Sequence, residues 1–517
     1  MLYGATAMGC SGQKAFLPLL VLAGTGAAAI GVAIMSSSGM LEKTIAFLKN
    51  HHQQEVLKVA YGDAQEDRIS QLSDDLLSEI LSRLDLIEAI RTRILARRWN
   101  NICQVRSRLL LDCRKICGES QRIHTGSRRH KYRFLKAVDQ TLQLYSGQKI
   151  VHIHLICCLG NEVAPSYDRW MQTIATLGVQ SLLLKFCTPI CHDENGPYSS
   201  VDLYPLPLQL LFEATSLKIL NLLNCVLQPS FKGKFNSLQY LNMISVPLDN
   251  GELPHILASC VNLLQLSLCN CKLPPKLRIS GQCLQLQRLH VELCIGVKEI
   301  DIHAVNLSFF YLYSDKMVEL SLHYVPKLKD LLVSGNGIGV VPYLFGQVVK
   351  DCPALELFML QTKANELGHM PATINMFRNL RMLYLLMIFE CKADLQSVAT
   401  ILDACPLLEK LYLLARWPGF SEHLGGAWPA RHYGHLKELE YKGFHGTGCE
   451  IEFVVYLLQS APALDRVFIG SAYSTYSAEY KWTRYIDYVM DDAERQLIYK
   501  QLVEHALSSK VQVIFRN

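Results

Sequence analysis

Net charge is what this sequence has least of. Its 51 lysines and arginines are matched by 46 aspartates and glutamates, leaving +5 across 517 residues. So small a balance gives no support to a nucleic-acid partner, which needs a basic face to neutralise phosphates. Catalytic signatures are missing as well. There is no HExxH and no GxSxG, and the glycine-rich stretch from Gly335 to Gly339 lacks the lysine of a phosphate-binding loop. Two Cys-x-x-Cys pairs at zinc-site separation are also absent. The 18 cysteines are scattered through apolar stretches, as buried, reduced thiols would be in the cytoplasm or nucleus. No catalytic residue, no metal ligand and no cofactor is expected.

What is present is apolar surface, half of all residues, enough for an extended core. Residues 1–40 hold an uncharged run, Phe16 to Met35, that as a helix would span about 30 Å, the thickness of a bilayer core. Glycines and Pro18 dilute it, so a hydrophobic leader and a membrane span both stay open. In the second case Lys43, Lys49, Lys58 and Arg68 would keep the rest of the chain in the cytosol. Residues 41–66 are polar and mixed and read as a linker.

From residue 67 the pattern changes. Ser73 can cap a helix whose first turn carries Asp74 and Asp75, where carboxylates suit the positive end of the helix dipole. Leu76, Leu77, Ile80, Leu81 and Leu84 then recur at helical spacing. Asp85 with Glu88 starts a second helix, and Leu95, Trp99 and Ile102 share one face of a third. Three short helices cannot bury all their apolar surface, so one face is left for a partner.

The run from Asp67 to Asp112 resembles a plant F-box through Leu72, Asp74, Asp75, Leu76, Leu77, Ile80, Leu81, Leu84, Ala89, Arg98 and Trp99. It departs at Ser73 and Asp85, where the family favours proline, and at Cys103, where it favours tryptophan. The resemblance implies docking on a Skp-type adaptor, and so on a cullin scaffold, through Leu72, Ser73, Leu76, Leu77, Ile80, Leu81, Leu84 and Trp99.

Residues 113–150 are rich in Arg and Lys and read as a basic connector. A period follows over 151–433. Leu-x-x-Leu-x-Leu-x-x-Asn/Cys is met by Val179/Leu182/Leu184 with Cys187, Leu217/Leu220/Leu222 with Cys225, Leu263/Leu266/Leu268 with Cys271, Leu286/Leu289/Val291 with Cys294 and Leu328/Leu331/Val333 with Asn336. Looser copies start at Leu238, Leu307, Leu355, Leu380, Leu408, Leu436 and Leu464, and from Leu217 onward the starts lie 21 to 28 residues apart. This predicts a leucine-rich-repeat solenoid, each coil placing three apolar side chains inside and a polar or thiol residue at the bend. Pro353, Pro406 and Pro462 each end a helix before the next strand.

Residues 434–517 are similar to the FBD domain that closes many plant F-box/leucine-rich-repeat proteins, through Leu436, Leu439, Gly443, Phe444 and Gly446 and the helix before Pro462. The stretch 471–487 reads as an inserted loop.

The expected fold is α/β: a short three-helix F-box followed by a leucine-rich-repeat horseshoe. The expected function is that of a substrate receptor in a Skp-cullin-F-box ubiquitin ligase, not an enzyme. The alternative is a leucine-rich-repeat scaffold outside any ligase, membrane-anchored if residues 16–35 span. Strand alternation marks Lys218, Asn221, Gln239, Asn242, Gln265, Ser267, Arg288, His290, Tyr384, Tyr412 and Glu438 as candidate contacts for a protein substrate.

Overall fold

The computed structural model describes residues 71–83, 92, 98, 108–117, 128–145, 150–157, 159, 161–186, 204–228, 233–280, 285–335, 340–363, 375–388, 395–416, 428–477, 481–486, 490–506 and 510–516. The chain divides into two units, Met1–Asp67 and Arg68–Asn517. The leader, its apolar run 16–35 and the linker all lie in the first, outside the described residues. Among the described residues no helix is long and apolar enough to cross a membrane.

The second unit is built on one parallel sheet of fifteen strands, laid down almost entirely in chain order. It starts at Arg108–Asp112 and ends at Gln512–Arg516. Two rows of side chains enter the core from every strand. One runs Leu109, Ile153, Leu182, Leu220 and Leu241, continuing through Leu439 and Val467 to Val513; the other runs Leu111, Leu155, Leu184, Leu222 and Met243, continuing through Tyr441 and Ile469 to Phe515. Because side chains alternate along a strand, the residues between these rows face the other way.

The repeat leucines behave as their period predicts. Leu217, Leu220, Leu222, Leu263, Leu266, Leu268, Leu286, Leu289, Leu328 and Leu331 are all at most 1% exposed. The bend thiols act as the template requires: Cys271 Sγ donates to the Met243 carbonyl at 3.4 Å, and Cys294 Sγ to that of Leu268 at 3.4 Å, each reaching the coil before it. Cys187 and Asn336 lie outside the described residues. Helices Gln396–Asp403 and Gly448–Ser460 precede Pro406 and Pro462 as expected. The second carries a capping box in which Glu450, fully buried, accepts from Thr447 N, Thr447 Oγ1 and His445 N.

Three intervals differ from the sequence expectation. The first strand, Arg108–Asp112, falls inside the interval assigned to the F-box, because Leu109 and Leu111 complete the inner rows. Residues 113–150 are not a bare connector. They hold a helix, Arg128–Leu144, whose Phe134, Val138 and Leu142 are buried; Phe134 meets Trp170 edge-on at 6.0 Å, and Asp139 accepts from Trp170 Nε1 at 2.7 Å. The many basic residues hid an amphipathic period. Within 471–487, strands Ala472–Ser477 and Lys481–Ile486 pair antiparallel as a hairpin rather than forming an irregular loop. The FBD-like region extends the same long sheet through Glu438–Lys442, Arg466–Gly470 and Gln512–Arg516.

A separate sheet of three short parallel strands, Lys276–Ile279, Glu299–Ile302 and Glu319–Leu322, serves three consecutive coils.

Candidate functional site

Two surfaces carry the residues singled out by sequence. The first is the helix Asp74–Arg83. Ser73 starts it: the Leu76 amide lies 3.4 Å from Ser73 Oγ, and Leu77 N–H donates to the Ser73 carbonyl at 3.0 Å. Arg98 Nη2 binds Asp74 at 2.6 Å, tying the first helical turn to a residue 24 positions on. The helix splits its leucines by face. Leu77 and Leu81 are buried at 0% and 1%, whereas Leu76 and Ile80 are 54% and 42% exposed, one turn apart on one side. Leu72 is half-buried and Ser73 exposed. Of the candidate docking residues, then, Leu77 and Leu81 support the helix while Leu76 and Ile80 form its free apolar side. Leu84 and Trp99 lie outside the described residues.

The second surface is the face of the long sheet turned away from the core. Six candidate residues fall in one row across it: Asn221, Asn242, Ser267 and His290 on adjacent strands, then Tyr311, Leu332 and Met359, then Tyr384 and Tyr412. Gln265, Arg288 and Glu438 lie two residues earlier on their strands, in a parallel row. Lys218 and Gln239 are not in either row. They stand one residue ahead of the paired strands, where the Lys218 carbonyl accepts from the amides of Gln239 and Tyr240.

The face changes character along the sheet. Its middle is polar and desolvated. Asn242 Oδ1, both ring nitrogens of His290, Glu292 Oε1, Ser334 Oγ and Gln361 Oε1 are buried without a hydrogen-bond partner. Burial, with the nearby Arg288 charge, lowers the His290 pKa to about 4 and keeps the ring neutral. Burial likewise pushes the Glu292 carboxyl up to about 7, against the opposing pull of the Cys269 thiol. Next comes an apolar strip apart from the main core. Tyr311, Met359, Leu386 and Leu414 are buried in it, with Phe309, Tyr313, Leu332, Leu357, Tyr384 and Tyr412 packed around them. Arg288 lies 3.9 Å over the Phe309 ring, and Tyr384 and Tyr412 stack at 5.2 Å and 29°. A charged ladder follows: Lys410 bridges Glu438 at 2.6 Å and Glu440 at 3.5 Å, Arg466 meets Glu438 at 3.0 Å, and Arg516 meets Glu440 at 3.6 Å while lying over Phe468.

Sequence reasoning missed Phe309, Tyr311, Tyr313, Met359, Leu386 and Leu414. In runs such as FFYLY and MLYLLM both strand faces are apolar, so alternation gives no sign of which residues face out. Glu440 and Arg516 could have been found by aligning successive coils.

The F-box domain family matches residues 69–110, ending inside the first strand of the sheet. The family described as "At1g61320/AtMIF1, LRR domain" matches residues 142–513. One F-box/FBD/LRR-repeat protein of Arabidopsis thaliana is 23% identical over 80% of this chain and 93% of its own length. A second from the same plant is 28% identical over 40% of this chain, a match that spans only 44% of that relative. A solved leucine-rich-repeat protein of Leptospira interrogans, 15% identical, covers 73% of this chain and 86% of its own, with a TM-score of 0.30. With an F-box ahead of the solenoid, a family match over most of its length, and an FBD-like region completing its sheet, the chain belongs to the plant F-box/leucine-rich-repeat proteins.

Proposed function

We propose that this F-box protein is the substrate-receptor subunit of a Skp-cullin-F-box ubiquitin ligase and performs no catalysis itself. The observation that carries the reading is the exposed pair Leu76 and Ile80 on a helix whose other leucines are buried. Such a pair suits a hydrophobic groove on an adaptor. The open sheet face supplies the second half. Its apolar strip, with Tyr384 and Tyr412 at its edge, takes apolar side chains of a bound protein segment.

The mechanism is proximity. Holding a substrate on the solenoid while the helix holds the adaptor raises the effective concentration of substrate lysines near the conjugating enzyme. The test is co-purification of the full chain with a Skp-type adaptor. The adaptor is retained by the native sequence and lost in Leu76→Asp with Ile80→Asp, and an unmutated chain that retains no adaptor refutes the proposal.

A further inference from the structure

The three-stranded sheet carries a cluster that neither docking nor recognition uses. Leu277, Ile300 and Leu320 form one buried row and Ile279, Ile302 and Leu322 another, so alternation turns Glu299 and Asp301 to the opposite side. The ladder continues one bond past each strand. His303 N–H donates to the Ile279 carbonyl at 2.7 Å, and His323 N–H to the Ile302 carbonyl at 2.8 Å. Two histidines therefore hold the same place in neighbouring coils, with ring centroids 4.9 Å apart. Asp301 joins them: its Oδ1 lies 3.4 Å from His303 Nε2 and 3.9 Å from His323 Nε2. The ligating atoms of all three residues fall within 4.8 Å of one another. Oδ1 is buried with no hydrogen-bond partner, while Arg278 Nε stands 3.5 Å from the other oxygen, Oδ2. A buried carboxylate oxygen without a donor, facing two imidazole nitrogens, is a place where a cation removes a cost.

We infer that Asp301, His303 and His323 form a site for a divalent transition metal of the zinc type, with water completing the coordination and the ion clipping two consecutive coils together. Two imidazoles and one carboxylate are a donor set for zinc and its borderline neighbours; magnesium and calcium take oxygen donors instead. Around a tetrahedral zinc with bonds of about 2.0–2.1 Å, ligand atoms stand about 3.3 Å apart. The Asp301–His303 separation of 3.4 Å already meets this. His323 has to close on Asp301 by roughly half an ångström to reach the same spacing, and its side chain is 55% exposed. Arg278 opposes a cation here, but its side chain is 67% exposed and it holds the oxygen that the metal does not need. Glu319, opposite Glu299 across the same two strands, adds negative charge nearby, while Glu299 itself is held by Lys276.

The full-length chain, stripped with a chelator and titrated with Co2+ and then Zn2+, tests this. One equivalent of Co2+ gives the visible absorption of nitrogen and oxygen coordination without a thiolate charge-transfer band, and Zn2+ displaces it. His303→Gln with His323→Gln loses that equivalent, and its Kd for Zn2+ rises about 100-fold or more, beyond what loss of an outer-shell contact does. Asp301→Asn, which keeps the side-chain shape, weakens binding in the same direction and decides the matter should the double variant fold poorly. Unchanged metal uptake in Asp301→Asn, or a thiolate band in the native chain, overturns the assignment.

Discussion

Removing Leu76 and Ile80 to the β-carbon measures the docking helix directly. The two side chains are 54% and 42% exposed, so a partner that covers them withdraws roughly half of each from water. Fully burying a leucine or isoleucine contributes about 1.5–3 kcal/mol, and half of that for two residues comes to about 1.5–3 kcal/mol. Leu76→Ala with Ile80→Ala should therefore weaken adaptor binding about 10- to 100-fold. Titration calorimetry of the purified full chain against a purified Skp-type adaptor reads the affinity, with thermal melting followed in parallel. The melting midpoint should barely move, because neither side chain is in the interior. Leu77→Ala and Leu81→Ala form the counterpart: at 0% and 1% exposure each should lower stability by about 2–5 kcal/mol. An unchanged Kd in the exposed pair's double variant, or a loss of affinity matched by a loss of folding, would refute the division of this helix into a free and a supporting side.

The pH dependence of stability offers a second check at Glu292, whose folded pKa is raised to about 7 from the ordinary 4.5. A raised pKa means that folding favours the protonated acid, so this contribution is full below about pH 4.5 and lost as pH rises through about 7. Between about pH 6 and pH 8 the chain should lose about 1 kcal/mol that Glu292→Gln does not lose, measured as the difference in urea midpoints; parallel curves for the two proteins would contradict the burial. Gly335 sits where a Cβ would lie 2.3 Å from the Ser314 carbonyl oxygen on the neighbouring strand, so Gly335→Ala should cost about 1–3 kcal/mol, and an unaltered urea midpoint would show the approach to be soft. Tyr384→Ser with Tyr412→Ser should cut binding of proteins that accumulate in cells carrying the docking-deficient variant by about tenfold. Equal capture by native and doubly substituted chains would move the recognition site off the apolar strip.

How far the sequence could be read depended on whether a local period carried the information. Leu217, Leu220 and Leu222 and their copies announce the coil because a one-sided strand must alternate, and every one of them is buried. The helix Asp74–Arg83 was legible for the same reason, but its faces were not: Leu76 and Leu77 are adjacent in sequence, and only the fold decides that one is exposed and the other buried. The helix Arg128–Leu144 was lost behind Arg, Lys and His residues, although Phe134, Val138 and Leu142 stand four residues apart along it. Where both strand faces are apolar, as around Tyr311 and Leu386, periodicity falls silent. His303 and His323 lie beyond any local rule, since 20 residues separate them along the chain and only the stacking of coils brings their rings together.

The two inner rows of the long sheet are apolar at all fifteen strands, while the row between them runs from Asn221 through His290 and Met359 to Glu440 and Phe468. Every junction between strands is the same parallel pairing, so the inner rows fit whichever coil stands beside them, while outward contacts such as Tyr384 on Tyr412 and Lys410 with Glu438 join neighbours locally. Selection can therefore rewrite the outward row in patches, changing packed or ion-paired neighbours together, while the inner rows stay as they are. Duplication or deletion of a whole coil shifts that row by one strand and leaves the register on either side intact. A lineage equipped with this scaffold can vary its outward face coil by coil while the inner rows keep every strand in place.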